Sequence, residues 1–401
     1  MYDVAVIGAG PVGSRVAALL SEAGYRVVVL DKKPSPGGPV CCTGIIGREC
    51  ADSLSLQKEL IFRQANSARL FSPSGKVVRV WRPEPQAMIV DRPAFNVLMA
   101  ERAGRKGAEF RWDTTVTGIE LTGNQAYVKI SGGAGLPVRA AVVASGFASK
   151  IQGIPGDVSG RDFIMGAQAE VETKEAGEVE VFFGDNFAPG FFAWLAPTAE
   201  GRALVGLLSR RRPVYFLKKL LDDLKSRGVV VSSDAAMTHG GVPLQPLDKT
   251  YGDRVVVVGT AAGQVKPTTG GGIYYGLLCA EIAAKHVAKG LENGNLSSRS
   301  LAAYQREWHK LLNKELRTGY WARQMYDRLN DRQIDYIFDI ITKTGIDKSV
   351  LEAADFSFDW HAKIVTRLLA DGAVTRALML MKIPFLRENG NVVYNNEPER
   401  R

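Results

Sequence analysis

The 401-residue sequence predicts an α/β protein in which a parallel-sheet unit is interleaved with an antiparallel sheet and followed by a helical C-terminal region. Three observations predict it. The apolar run at 3–7 leads straight into Gly8-Ala9-Gly10-Pro11-Val12-Gly13. A helical pattern then runs through Leu20 and stops at Gly24, and a second apolar run fills 25–30, which is the succession of a parallel βαβ unit. The same pattern resumes late in the chain, where an apolar strand at 254–259 and Gly270-Gly271-Gly272 precede a helix over 273–289. Between the two, residues 163–209 read as several strands, including 178–183 and 203–208, as in a mostly antiparallel sheet.

The intervening elements follow in order. Residues 34–47 are turn-rich, and alternation over 68–80 around Pro73-Ser74-Gly75 predicts a hairpin. A helix is expected over 93–105, with Pro93 in the first turn where its missing N–H costs nothing. Strands are expected at 108–111, 126–130 and 138–144, and helices from 299 onward, where Tyr320, Trp321, Tyr326, Tyr336, Phe338 and Trp360 alternate with basic residues. This order divides the chain into a discontinuous first domain (1–65, 90–160 and 250–295), a sheet domain (66–89 and 161–249) and a helical region (296–401).

Composition bounds the function. With 46% hydrophobic and 23% charged residues the chain is a folded globular protein, too long for a single core. No apolar run approaches the roughly 20 residues of a membrane span, and no basic segment precedes the first strand, so the expected location is cytoplasmic. The net charge of +9 is scattered rather than gathered in one arm. That reads as a solvated basic surface, compatible with anionic lipid headgroups but carrying no nucleic-acid signature. Four cysteines, two of them adjacent, are not a disulfide scaffold, and His239, His286, His309 and His361 have no metal-ligand spacing with them; no metal is expected.

The glycine turn carries the first chemistry. Gly8 permits the tight turn, Gly10 lets the backbone approach a pyrophosphate, and Gly13 allows close packing of helix on strand. Pro11 and Val12 open the helix whose N–H groups face the anion. Asp31, followed by Lys32, ends the next strand about 20 residues on, where a carboxylate accepts hydrogen bonds from an adenosine ribose. NAD and FAD both fit this fingerprint. The second glycine-rich region, Gly259-Thr260-Ala261-Ala262-Gly263 followed by Pro267 and Gly270-Gly271-Gly272-Ile273, also sits between a strand and a helix, placed to hold a second part of an extended cofactor.

This second region resembles the flavin-binding segment of the p-hydroxybenzoate-hydroxylase-like flavoproteins, and Asp91-Arg92-Pro93-Ala94-Phe95 resembles the segment that brings an Arg to their cofactor. More narrowly, the chain resembles the geranylgeranyl reductase family, including its archaeal digeranylgeranylglycerophospholipid reductases, over roughly its first 290 residues. Three stretches carry that resemblance: Pro39-Val40-Cys41-Cys42-Thr43-Gly44, Pro189-Gly190-Phe191-Phe192-Ala193-Trp194-Leu195-Ala196-Pro197, and Gly263-Gln264-Val265-Lys266-Pro267-Thr268-Thr269-Gly270-Gly271-Gly272-Ile273. The central one parallels the family's PxxYxWxFP substrate-cavity motif, with Phe192 in place of the Tyr and Ala196 in place of the Phe.

The resemblance implies a Rossmann-like FAD-binding domain with an interleaved antiparallel-sheet substrate domain, and FAD as cofactor. It also implies flavin contacts from Arg92, Cys41, Cys42 and the second glycine region. Ser145, before Gly146, stands where related flavoproteins have Asp in an ADG turn, and Thr260 stands where the family has Asp in GDAAG. A hydroxyl bonds ribityl oxygens more weakly than a carboxylate does.

The implied activity is saturation of isolated alkenes in a prenyl lipid by hydride from reduced FAD plus protonation. Phe191, Phe192, Trp194 and Pro197 would line the substrate, with π faces turned to developing positive charge. Cys41 or Cys42, with an ordinary thiol pKa of about 8.5, would supply the proton; the alternative is that both only pack a loop. With no second GxGxxG, the electrons must come from an external donor, whether NAD(P)H, a reduced deazaflavin or a ferredoxin. The C-terminal region would cover the substrate tunnel, touch a membrane surface, or simply pack on the body. Two other readings share these motifs. An oxygen-using monooxygenase or halogenase is one; Phe192-x-Trp194-x-x-Pro197 lacks the first Trp and the Ile of the halogenase WxWxIP. A lipid-binding module without productive flavin binding is the other.

Overall fold

The computed structural model describes residues 2–38, 40–147, 150–157, 161–174, 177–353, 356–372 and 375. Pro39 of the early motif, and the end of the helical region beyond 375, lie outside the described residues.

Among the described residues an eight-stranded sheet forms the centre of the first unit. β1 (Tyr2–Ile7) lies between β2 (Val27–Leu30) and β11 (Leu136–Val143), with β8 (Glu109–Arg111) outside β2, and β18 (Val255–Val257) then β17 (Tyr251–Gly252) outside β11. The pairs joining β8, β2, β1, β11 and β18 are all parallel. Val4 to Val6 and the whole of β2 are buried on both faces, as central parallel strands require.

One face carries α1 (Pro11–Glu22), α5 (Ile273–Glu292) and α6 (Ser298–Tyr326) in a single apolar cluster. The last two of the eight strands, the antiparallel β9 (Val116–Thr122) and β10 (Gln125–Ile130), join through β10 pairing with β11 and cover the opposite face with Val116, Ile119, Ala126 and Val128.

The second sheet has seven strands in the order β16 (Met237–Pro243), β12 (Phe163–Glu172), β15 (Arg202–Ser209), β14 (Phe192–Pro197), β13 (Val179–Phe183), β5 (Ser67–Phe71) and β6 (Val77–Trp81). It is antiparallel except where β13 meets β5, so the expected hairpin joins the sheet edgewise. Its back is closed by α4 (Pro213–Ser226), whose Leu217, Leu220, Leu221 and Leu224 form one buried stripe at helical spacing. The helix was legible in that spacing and in Pro213 at its first turn, although the strand-rich reading of the region stopped short of it. Further along, α7 (Asp331–Thr344) packs Ile334 and Phe338 against Val78 and Phe183, and α8 (Ile346–Leu351) and α9 (Ala362–Ala370) follow.

A third, three-stranded sheet was not foreseen. β3 (Ile45–Gly47) lies inside the segment read as turns, and with β4 (Ile61–Ala65) it flanks β7 (Ala87–Val90), which therefore does not join the hairpin's sheet. Three residues are too few to show an alternation. α2 (Arg48–Ser53) and α3 (Arg92–Arg105) close its core around Cys50, Met88, Phe95 and Met99. No described helix is long and apolar enough to cross a membrane.

Candidate functional site

The first glycine turn is built by close approach. Gly8 has φ +106, and a Cβ there would lie 2.5 Å from the Ala144 carbonyl oxygen; one on Gly13 would collide with the carbonyl oxygen of Gly8. Gly10 is different: nothing lies within 4 Å of where its Cβ would stand. Gly10 is also the N-cap of α1, which has no side-chain cap and no acidic residue in its first turn, so its N–H groups and dipole are unspent. Asp31, just past β2, accepts from the Ala9 N–H at 2.6 Å and from the Lys33 N–H at 2.9 Å, while Lys32 is exposed. The acid thus ties the glycine turn to the end of the second strand.

The second turn meets the first. Val12 Cγ1 lies 3.0 Å from the Cβ position of Gly259, and Val12 Cγ2 lies 2.5 Å from that of Gly276 in α5. Gly8 in turn sits against Ser145, whose hydroxyl is buried without a partner among the described residues, and Gly146 beside it has φ +78 with open space around it.

Buried side chains shape the second turn. Gln264 accepts from the Gly259 N–H at 2.7 Å and donates to the Tyr304 hydroxyl at 2.9 Å, which donates to the Val257 carbonyl at 2.8 Å. Gly263 closes the turn at φ +76, and Thr260 Oγ1 lies 3.4 Å from the Cβ position of Gly272. Lys266 and Gly271 close the loop through N–H to carbonyl at 3.0 Å. α5 then starts at Ile273 with Gly272 as an uncapped N-cap and no acid in its first turn, a second unspent helix terminus.

The same loop is clamped from the C-terminal region. Lys266 pairs with Asp359 at 2.8 Å, both buried, and Tyr275 donates to the Asp359 carbonyl at 2.9 Å. The His361 ring bridges Thr268 Oγ1 at 2.6 Å and the Phe358 carbonyl at 2.8 Å. Burial, with the Lys266 charge adding to it, pushes the His361 pKa down to about 4. None of Tyr304, Asp359 or His361 was visible as a site residue, because each lies far along the chain from the loop it holds. Gln264 and Lys266 stood inside a quoted stretch with no role attached.

The cysteine loop bridges the first unit to the second sheet. Asp91 caps α3 by accepting from the Ala94 N–H, and Arg92 is buried, donating to Asn96 at 3.1 Å with its Nε unpartnered among the described residues. The Cβ position of Gly44 falls 2.6 Å from Arg92 Cγ, so the loop rests on that arginine. Thr43 donates to Gln168 of β12 at 2.6 Å, and Cys41 lies over Gly240 of β16, its Sγ 3.7 Å from the glycine's Cβ position. Cys41 keeps an exposed edge, yet the surrounding protein raises its thiol pKa, against a hydrogen bond with Thr238 that lowers it. Cys42 is half-buried. The deeply buried Cys50 is pushed up to about 12 by desolvation, with the Asp359 carboxylate adding to it.

The aromatic motif divides between faces. Two-residue alternation puts Phe192 and Trp194 on the front of β14, and Ala193 and Leu195 on the α4 side; Pro197, buried at the strand end, falls with the latter pair by the same alternation. The Trp194 indole covers Gly206, 2.6 Å from its Cβ position, with Nε1 buried and unpartnered among the described residues. Phe191, preceding the strand, is fully buried: its ring packs tilted against Phe192 at 4.8 Å and lies under the Arg323 guanidinium at 4.2 Å. The second glycine loop rests on this sheet face, the Cβ position of Gly270 being 2.8 Å from Leu208. Both glycine turns, the cysteine loop and the front of the second sheet therefore converge.

This fold is shared with solved flavin-dependent enzymes such as the brominase Bmp2, with a TM-score of 0.66 at 16% identity, over 91% of this chain and 97% of that one. A geranylgeranyl bacteriochlorophyll reductase-like protein from Thermoplasma acidophilum shares this fold with a TM-score of 0.81 at 20% identity, over 94% of this chain and 99% of that one. The sequence profile of the lycopene cyclase protein family matches residues 3–339, well past the stretches that carry the motif resemblance. The digeranylgeranylglycerophospholipid reductase of Methanocaldococcus jannaschii is 30% identical over 370 residues, 86% of this chain and 93% of the relative. Digeranylgeranylglycerophospholipid reductase 2 of Methanothermobacter thermautotrophicus is 30% identical over 355 residues, 83% and 90% of the two chains. The chain belongs to the lycopene cyclase protein family and to the digeranylgeranylglycerophospholipid reductase family.

Proposed function

We propose that the protein is an FAD-dependent reductase that saturates isolated C=C bonds in the geranylgeranyl-type chains of membrane-lipid precursors. The observation that carries this reading is the meeting of the two glycine turns at Val12 while the second of them rests on the aromatic face of the substrate sheet.

The residues present fit FAD. Gly10 leaves open space at an uncapped helix N-terminus, where a pyrophosphate would be held. Asp31 would turn its remaining acceptor capacity to the ribose, and the unpartnered Ser145 hydroxyl and Thr260 would bond the ribityl chain. Gly270 to Ile273, opening α5, would hold the pyrimidine edge, with the buried Arg92 beside the cysteine loop. Bound and reduced, FAD supplies a hydride to carbon.

The chain's own residues do the rest. Phe192 and Trp194 line the apolar face on which a prenyl chain lies, excluding water, and their π faces stabilise positive charge at the carbon about to receive hydride. Cys41 holds a proton at Sγ, because its raised pKa keeps the thiol protonated at neutral pH. The alkene gains hydride at one carbon and a proton at the other. A transient partner supplies the electrons: NAD(P)H, a reduced deazaflavin or a ferredoxin.

The test is anaerobic turnover of a digeranylgeranyl glycerophospholipid by the FAD-loaded protein with a chemical reductant, followed by mass spectrometry. The expected product is heavier by two hydrogens per double bond. Turnover that needs oxygen, or none at all from a yellow protein, sinks the reading. Cys41→Ser is expected to slow single-turnover reduction at least about 100-fold while leaving flavin absorbance unchanged.

A further inference from the structure

The start of α4 combines features that its packing role does not use. Arg211 and Arg212 are exposed, and Val214 and Tyr215 are 48% and 50% exposed, whereas the buried stripe of the helix begins only at Leu217. Lys218 and Lys219 continue the basic surface. Phe163, also 50% exposed, is joined to this edge by Arg210, which donates to its carbonyl at 3.1 Å. Arg210 itself is committed to Asp162 and Asp327, so its charge is locally offset.

Arg211 also lines a cavity of about 190 Å³ together with Asp185, Pro189, Arg210, Tyr326, Asp327 and Ile334. From that cavity a file of rings leads inward: Tyr326 to Phe183 at 6.0 Å, Phe183 to Phe192 at 5.9 Å, and Phe192 to Trp194 at 6.1 Å. The surface patch and the proposed prenyl-binding face are therefore linked through packed aromatic side chains.

We infer that this edge, residues 211–215 with Lys218 and Phe163, docks the protein on an anionic lipid bilayer beside the substrate sheet. Basic residues interleaved with an exposed aliphatic and two aromatic side chains match the chemistry of an anionic headgroup layer over acyl chains. The choice of a bilayer as partner rests on the proposed lipid substrate, but the docking surface is testable without turnover.

The experiment is flotation of the FAD-loaded, full-length protein with phosphatidylcholine vesicles, with and without phosphatidylglycerol. The wild type is expected to float only with the anionic vesicles. Arg212→Asn/Lys218→Gln, in which Asn tolerates the left-handed backbone found at Arg212 (φ 44), and separately Val214→Ser/Tyr215→Ser, should each weaken binding on the order of tenfold. Lys310→Glu, on a remote helix, should not. Both α4 variants should reduce detergent-dispersed substrate as the wild type does and lose activity only on vesicle-embedded substrate. Wild-type protein that ignores anionic vesicles, variants that bind as the wild type does, or an equal loss in Lys310→Glu would each overturn the docking assignment. Absence of turnover in detergent alongside intact anionic flotation would instead count against the reductase reading.

Discussion

The two glycine turns present the same kind of surface, an uncapped helix start after a strand, but hold their shapes by different means. The first is held mainly by backbone contacts, Gly8 against the Ala144 carbonyl and Gly13 against Gly8, with the Asp31 carboxylate accepting from the Ala9 N–H. The second is held by side chains from far along the chain: Gln264 with Tyr304, Lys266 with Asp359, and Thr268 with His361. A turn built from backbone contacts has few ways to vary, whereas one propped by buried polar side chains depends on every prop. The second turn is therefore the place where ordinary substitutions, pH and the C-terminal region act on the site.

Removing the Lys266 partner should have the largest effect. Asp359→Ala leaves a buried ammonium uncompensated, with an expected loss of about 3–5 kcal/mol in urea unfolding. A stability equal to the wild type would mean that the clamp carries no weight and that the second turn is as self-sufficient as the first. In the first turn, Gly13→Ala forces a methyl into the Gly8 carbonyl. An expected cost of about 3 kcal/mol, with FAD binding lost, follows from overpacking against backbone that cannot move aside.

Acid should separate the turns more gently. His361 is held neutral in the fold, its pKa near 4 lying below the value of about 6.5 expected in the unfolded chain. Between those values the unfolded state binds the extra proton, so its contribution is full above about pH 6.5 and lost as pH falls toward 4, by about 3 kcal/mol. His361→Asn should flatten that part of the stability profile; an unchanged slope would remove His361 from the clamp. The smallest change expected is a gain. Thr260→Asp should tighten FAD by about 1 kcal/mol in a fluorescence titration, because a carboxylate is the stronger acceptor, and weaker binding would show that Thr260 does not face the ribityl chain.

Local patterns carried most of the fold. The βαβ start, the hairpin, the helix after Pro93 and the late strand and helix all follow from period and turn chemistry acting over a few residues. The three-stranded sheet escaped because β3 is too short to alternate, and α4 because its leucine stripe followed a long run of strands. In the site, Gly8, Gly10, Gly13, Asp31 and the 259–273 glycines were legible as types that a phosphate-bearing ligand needs. The division of the aromatic motif, with Phe192 and Trp194 forward and Pro197 behind, follows once the strand's register is known.

By itself the sequence determined which backbone segments can make tight, anion-facing turns, because glycine freedom and helix termini are properties of neighbouring residues. Only the tertiary structure decided that the two turns touch through Val12, that Cys41 lies over Gly240, and that Asp359 reaches Lys266 across 93 positions. Those contacts depend on how sheets and helices pack, and a packed interior selects its partners by shape and burial rather than by nearness along the chain.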